Sequence, residues 1–107
     1  MKRIYSKEGE TLDDIFKNNE YEIYNQVLES IKESYRELGD KEVINVISIS
    51  TKDIDYSINL KREKLAPSLE KCIAFFERIE EYEKCQECVN IIKEIKKNKQ
   101  KVEYGIS

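Results

Sequence analysis

The spacing of the apolar residues changes period twice along the chain, and this change restricts the possible folds more than any other feature. Between about 20 and 38, apolar residues recur every three or four positions, as they do on one face of a helix. Between 42 and 60 the pattern is that of strands, first rich in Val and Ile and then alternating with a period of two, and from 66 to 98 the helical period returns. The sequence therefore predicts an α+β domain dominated by helices.

Two neighbouring segments have the character of strands. The segment "EVINVISIS" (42–50) is rich in Val and Ile, and "DIDYSINL" (53–60) alternates apolar and polar residues. The polar connection "STKD" is short, so the two segments are predicted to form one antiparallel β-hairpin over about 42–60. Near the N-terminus, "RIY" is a candidate third strand, and Thr11 followed by "LDDIF" predicts the start of a short helix.

The C-terminal helical region contains two sets of apolar residues, and no Gly or Pro separates them. The first set runs from Leu69 to Ile79 and the second from Tyr82 to Ile95. One long helix and a helical hairpin with a break near 79–82 are both compatible with this spacing, which mildly favours the break.

The segment "LEKCIAFFERIEEYEKCQECVNIIKEIKK" (69–97) resembles the UVR motif, the helical hairpin of the bacterial excision-repair proteins B and C and of some adaptors that regulate proteases and kinases. The likeness rests on its opening "LEK", on "YEK" (82–84) and on the closing "IKEI" (92–95). The motif's Arg-Asp pair is replaced by Val89-Asn90. The resemblance therefore implies a C-terminal helical hairpin over about 66–98 that contacts other proteins, and it does not imply a repair function.

Composition is compatible with a single domain spanning 1–107, with 1–10 and 99–107 as candidate flexible ends. Charged residues make up 38% of the chain and its net charge is −3, which disfavours a nucleic-acid interface spread over the whole surface. The charged N-terminus lacks the apolar stretch of a secretory signal, and no apolar run is long enough to span a membrane. We therefore expect a cytoplasmic protein without membrane contact.

The pair Cys85-x-x-Cys88 is the one short motif with the spacing of a chemical site. A structural zinc ion needs four ligands, and this chain has no His and only Cys72 as a third thiol, so a carboxylate such as Glu81 would have to complete the set. A thioredoxin-type pair would begin a helix after a strand, whereas these cysteines lie within a helical stripe. All three cysteines are therefore predicted to pack in the core, with no metal and no cofactor.

Other catalytic and binding motifs are also excluded by the residue types present. The run "DIDYS" (53–57) begins like a calcium loop, but the sixth and twelfth positions, which need Gly and Glu, hold Ile58 and Lys64. The absence of His excludes Ser–His and Cys–His nucleophiles, and the three isolated glycines form no phosphate-binding loop. We predict no catalytic residues and no enzymatic activity.

The remaining interpretation is a small non-catalytic binding or regulatory protein that acts through protein–protein contacts, with an immunity-type or phage-encoded inhibitor as one variant. The strand at 43–50 is predicted to be apolar on both faces, which would leave one face exposed and favour a homodimer. The candidate interface residues are Val43, Ile47, Ile49, Tyr56, Phe75 and Tyr82.

The alternative interpretation is a nucleic-acid- or nucleotide-binding accessory protein that uses the lysine-rich stretch "KEIKKNKQK" (93–101). A solvated helix end with the same lysines is the simpler explanation, because cations stabilise the negative end of a helix dipole. The candidate phosphate contacts are Lys93, Lys96, Lys97, Lys99 and Lys101.

Overall fold

The computed structural model of the protein describes residues 3–39 and 42–106, with the backbone alone for 98–106. The chain forms a helix-dominated α+β domain, as predicted. The elements in order are β1 (Arg3–Tyr5), α1 (Leu12–Asn18), α2 (Glu20–Ser34), β2 (Val43–Ser50), β3 (Asp55–Lys61), a 3-10 turn (Arg62–Lys64), α3 (Leu65–Arg78) and α4 (Tyr82–Ile106).

The sheet has three strands in the order β1-β2-β3 within the described residues, and it is mixed. The predicted antiparallel hairpin is confirmed as β2 and β3, but it is not the whole sheet, because β1 adds a parallel strand to the other side of β2. The helices α1 and α2 form the connection between these two parallel strands, which cannot be joined by a tight turn.

A β-bulge in β2 decides which faces of the sheet are apolar. The pairing with β3 shifts between Asn45 and Ile47, so Val46 is an extra residue in the ladder. Strict alternation would place Ile44 and Ile47 on opposite faces. Because of the extra residue, Ile44 and Ile47 lie on the same face of the sheet. On that face Ile44 pairs with Leu60, and Ile47 pairs with Ile58.

The opposite face of the sheet is therefore mostly polar, with Tyr5 and Val43 as exposed exceptions at its ends, and the prediction of two apolar faces is wrong. Arg3 Nη1 donates a hydrogen bond to Ser50 Oγ at 2.9 Å and lies 3.4 Å from an Asp55 carboxylate oxygen. Asn45 Nδ2 donates to Asn59 Oδ1 at 3.1 Å on the same face. A mostly polar face needs no partner to cover it, so the second apolar face for which a homodimer was predicted is absent from the described sheet.

Short-range signals define the first two helices. Thr11 caps α1 as predicted, in a reciprocal capping box: the Asp14 N–H donates to Thr11 Oγ1, and the Thr11 N–H donates to Asp14 Oδ2. Helix α2 ends at Ser34, several residues before the predicted end at 38. Tyr35 and Leu38 still reach the core from the turn that follows, which explains why the apolar spacing continued past the helix.

The C-terminal region is a helical hairpin, and its break falls at the predicted place. Glu80 has a φ of 63°, in the left-handed region. The Glu81 N–H donates to the Phe76 carbonyl at 2.8 Å and the Glu80 N–H donates to the Glu77 carbonyl at 3.1 Å. These two bonds make up a Schellman motif, which satisfies carbonyls at the end of α3 and turns the chain into α4.

One apolar core unites the sheet and the helices. The bulged face of the sheet lies against α2, and α3 packs against both α2 and α4. Side-chain hydrogen bonds, Lys32 to Glu87 and Lys84 to Asn25, join α4 to α2. Phe76 is fully buried among the aromatic rings of Tyr21 and Phe75, with ring centroids 6.2 and 5.4 Å away. The fully buried side chains are Ile15, Leu28, Ile31, Val46, Ile47, Ile49, Leu65, Leu69, Cys72, Phe76 and Cys88.

Candidate functional site

The outer edge of β3 carries the longest run of backbone groups that no described strand pairs. The Ser6 N–H donates to the Ser50 carbonyl at 2.9 Å, so Ser50 directs its backbone toward the β1 side. Along an antiparallel strand, the backbone N–H and C=O groups of successive residues point alternately to one neighbouring strand and to the other. Ile49, which precedes Ser50, therefore directs its groups toward β3 and bonds to its partner Tyr56.

The same alternation fixes the direction of the groups on β3. Asp55 and Ser57, opposite Ser50 and Ser48, direct their N–H and C=O groups away from β2. Unpaired groups of this kind at a sheet edge are a template for another strand. The side chains next to this edge on the core face are only partly covered: Tyr56 is 39% exposed, and Ile58 and Leu60 are half-buried.

A groove of about 910 Å³ lies at the end of the sheet, between the β1–α1 loop and the β2–β3 turn. We call it the tip groove. Four of the eight large hydrophobic residues that are exposed among the described residues line it: Tyr5, Leu12, Ile54 and Tyr56. Charged residues accompany them, namely Lys7, Glu8, Glu10, Lys52 and Asp53. The tip groove is continuous with β3, because Tyr56 belongs to both.

The loop that forms one wall of the tip groove is held by Glu10. Its carboxylate accepts a hydrogen bond from the Lys7 N–H at 2.7 Å and another from Asn18 Nδ2 at 2.8 Å. Both bonds lower the pKa of Glu10 below its ordinary value, and the bond from the Lys7 backbone has the larger effect. Gly9 permits the turn, since its φ is +79° and a side chain would be strained there.

A second opening, of about 490 Å³, lies between the core face of the sheet and the helices. We call it the helix–sheet cleft. Most of its lining is apolar: Phe16, Ile23, Tyr24, Val27, Val46, Ile58, Leu60 and Cys72. The polar lining residues are Lys17, Glu20, Ser68 and Lys71.

Three of the six predicted interface residues are exposed. Val43 is 51% exposed, Tyr56 39% and Tyr82 61%, and only Tyr56 belongs to the outer strand. Tyr82 begins α4 and Val43 begins β2.

The other three predicted interface residues need a correction, because Ile47, Ile49 and Phe75 are buried within the chain itself. The bulge directs both isoleucines into the core, and Phe75 stacks on Tyr24 with ring centroids 4.5 Å apart. These side chains cannot reach a partner while the chain stays folded.

The sequence interpretation missed Tyr5, Leu12 and Ile54 in the tip groove. The predicted strand over 53–60 includes Ile54, but β3 begins at Asp55 and Ile54 ends the turn at 53% exposure. The available signal was the position of Ile54 directly after the polar connection, where an apolar residue can end a turn as well as begin a strand.

The cysteines pack in and around the core, and the described residues contain no cluster of side chains that could hold a metal ion. The buried pair is Cys72 and Cys88, which face each other across the α3–α4 hairpin. The interaction between the two thiols, with burial, raises the pKa of Cys72, and the same interaction lowers the pKa of Cys88. Cys85 Sγ lies 3.6 Å from the Ile73 carbonyl oxygen, which accepts its hydrogen bond.

The lysine-rich end is partly described. Lys93, Lys96 and Lys97 are exposed on α4, where spacings of three and four place them on one side of the helix. The side chains of Lys99 and Lys101 lie outside the described part of the structure.

Within the described residues, no helix combines the length and the apolar character that crossing a membrane requires. Comparison with known proteins finds no family model that matches the chain, and no significant match among curated proteins or solved structures.

Proposed function

We propose that the protein is a small non-catalytic binding protein that takes an extended segment of a partner protein as a fourth strand beside β3. The observation that carries this proposal is the seven-residue edge of β3, open along its length among the described residues and flanked by half-covered apolar side chains.

Strand addition fits the chemistry of this edge. The outward N–H and C=O groups of Asp55 and Ser57 supply main-chain hydrogen bonds, which are sequence-independent and give affinity. Alternate side chains of the added strand lie on the same face as Tyr56 and Ile58, and their apolar character gives specificity. Beyond β3 the added segment continues past Ile54 into the tip groove.

Two kinds of partner use this same contact. The first is a target protein whose activity requires a free extended segment. Binding of that segment to β3 would inhibit the target, in agreement with the regulatory and inhibitor interpretation of the sequence. A second copy of this chain would pair β3 with β3 around a two-fold axis, which retains the homodimer on a different surface from the one first predicted.

The matched variants Ser57→Pro and Ser57→Ala test the proposal. The Ser57 N–H is directed outward, so proline removes a donor needed by an added strand while the bonds to β2 remain. Alanine keeps that N–H and removes only the hydroxyl. We expect proteins from the source cells to be captured by the wild type and by Ser57→Ala, and to be lost with Ser57→Pro.

The same variants are compared by light scattering coupled to size exclusion at micromolar concentration. If the wild type and Ser57→Ala are dimers and Ser57→Pro is a 12.7 kDa monomer, the strand added beside β3 comes from a second copy of the chain. Circular dichroism confirms that the variant is folded. If folded Ser57→Pro retains every captured protein and the wild-type mass, binding does not use the β3 edge.

A further inference from the structure

The helix–sheet cleft combines an apolar interior with two cations that have no partner among the described residues. Its sides come from the sheet, through Val46, Ile58 and Leu60, and from the helices α1, α2 and α3. Its volume of about 490 Å³ lies within the range of roughly 300–1,000 Å³ that holds small-molecule ligands.

The charges beside the cleft are asymmetric. Glu20 also lines it, but the Arg78 guanidinium binds this carboxylate in an ion pair and neutralises it. Lys17 and Lys71 make no hydrogen bond or ion pair with any described residue. The two lysines belong to different helices, Lys17 to the last turn of α1 and Lys71 to the middle of α3.

The hydroxyl of Ser68 adds a neutral polar group to the lining. Ser68 is half-buried one helical turn before Lys71, and it forms no hydrogen bond within the described part of the chain. A donor of this kind suits a ligand oxygen. The cleft therefore offers an apolar interior, two ammonium groups and one free hydroxyl.

We propose that the helix–sheet cleft binds a small amphipathic anion, a medium-chain carboxylate whose alkyl chain fills the apolar interior and whose head group meets Lys17 and Lys71. The alkyl chain covers the half-exposed parts of Ile58 and Leu60, and the burial of its methylene groups favours binding. The free cations select a carboxylate over a neutral or cationic head group. This inference does not depend on strand addition, because the ligand enters between the sheet and the helices.

The test uses three probes with the same ten-carbon chain, decanoate, decanol and decyltrimethylammonium, below the concentrations at which they form micelles. Each is titrated into the ¹⁵N-labelled protein while amide chemical shifts are recorded. We expect saturable shifts for decanoate at amides of the cleft lining, such as Val27 and Ile58. Decanol and decyltrimethylammonium should bind more weakly.

The double variant Lys17→Glu/Lys71→Glu should weaken decanoate binding by about tenfold, because it replaces two exposed ion pairs with repulsion. The matched control Lys93→Glu/Lys97→Glu makes the same change in net charge on α4, away from the cleft, and should bind decanoate like the wild type. Both pairs of lysines are exposed, so both variants should remain folded.

Four results would overturn the proposal. The first is an absence of saturable shifts with decanoate, and the second is shifts centred on the tip groove or α4 in place of the cleft. The third is equal affinity for the three probes, and the fourth is equal weakening of decanoate binding by the two double variants, since in either case Lys17 and Lys71 do not recognise the head group.

Discussion

Glu80 is the residue at which a single substitution tests the architecture most directly. It occupies the C′ position of α3 with a φ of 63°, where most Schellman motifs have glycine. A residue with a Cβ loses roughly 1–2 kcal/mol in this conformation. Glycine removes that strain, although its greater freedom in the unfolded chain offsets roughly 0.5–1 kcal/mol of the gain. We therefore expect Glu80→Gly to raise the free energy of unfolding by about 0.5–1 kcal/mol.

The assay is urea denaturation followed by far-ultraviolet circular dichroism, with thermal unfolding as a second measurement. The expected gain corresponds to a rise in Tm of roughly 2–6 °C for a domain of this size. The matched control is Glu70→Gly, at an exposed position in the middle of α3. There glycine should lower stability by about 1 kcal/mol, because it weakens a continuous helix.

The test depends on the opposite signs of the two changes in the free energy of unfolding. If the chain continued through residue 80 as one straight helix, Glu80→Gly would destabilise the protein as much as Glu70→Gly does. That outcome would refute the hairpin and the packing of α4 beside α3.

Three further predictions concern the core and its borders. Cys72 and Cys88 should resist alkylation by iodoacetamide in the native protein and react in denaturant, because both are fully buried; reaction of both at the rate of a free thiol in the native state would contradict this packing. Hydrogen bonds from Tyr35, the larger cause, and from Arg36 lower the pKa of Glu94 in the folded protein. The ionised carboxylate therefore stabilises the fold at pH values above its ordinary pKa of 4.5, and this stabilisation is lost as the pH falls through the lowered pKa. Glu94→Gln should therefore show a shallower loss of stability in acid denaturation, and an unchanged acid profile would exclude this linkage. Phe76→Ala should lower the free energy of unfolding by about 3–5 kcal/mol in urea denaturation, whereas a loss below about 1 kcal/mol would show that the ring is not in the core.

Much of the secondary structure follows from the sequence, because it depends on neighbours in the chain. The hydroxyl of Thr11 and the carboxylate of Asp14 cap α1 through contacts three residues apart. Alternation with a polar connection was enough to predict the hairpin of β2 and β3. The placement of the three cysteines within the helical stripe also follows from their spacing in the sequence.

The break at Glu80 was only favoured by the sequence, since neither Gly nor Pro marks it. A local strain of this kind is accepted when packing over-determines it, and here the faces of α3 and α4 bury Cys72 and Cys88 against each other. The energy that selects the turn therefore comes from contacts between residues far apart in the chain.

The candidate site depends on tertiary structure most of all. One extra residue, Val46, inverts the alternation within β2, and this inversion buries Ile47 and Ile49, which strict alternation had assigned to an interface. Nothing in the local spacing distinguishes a bulged strand from a regular one, because the bulge forms only in the ladder with β3. The sequence determined which segments are helices and strands, through interactions between near neighbours. The tertiary structure alone decided which faces are apolar, which edge is open and which lysines lie beside the cleft, because these properties belong to segments brought together from distant parts of the chain.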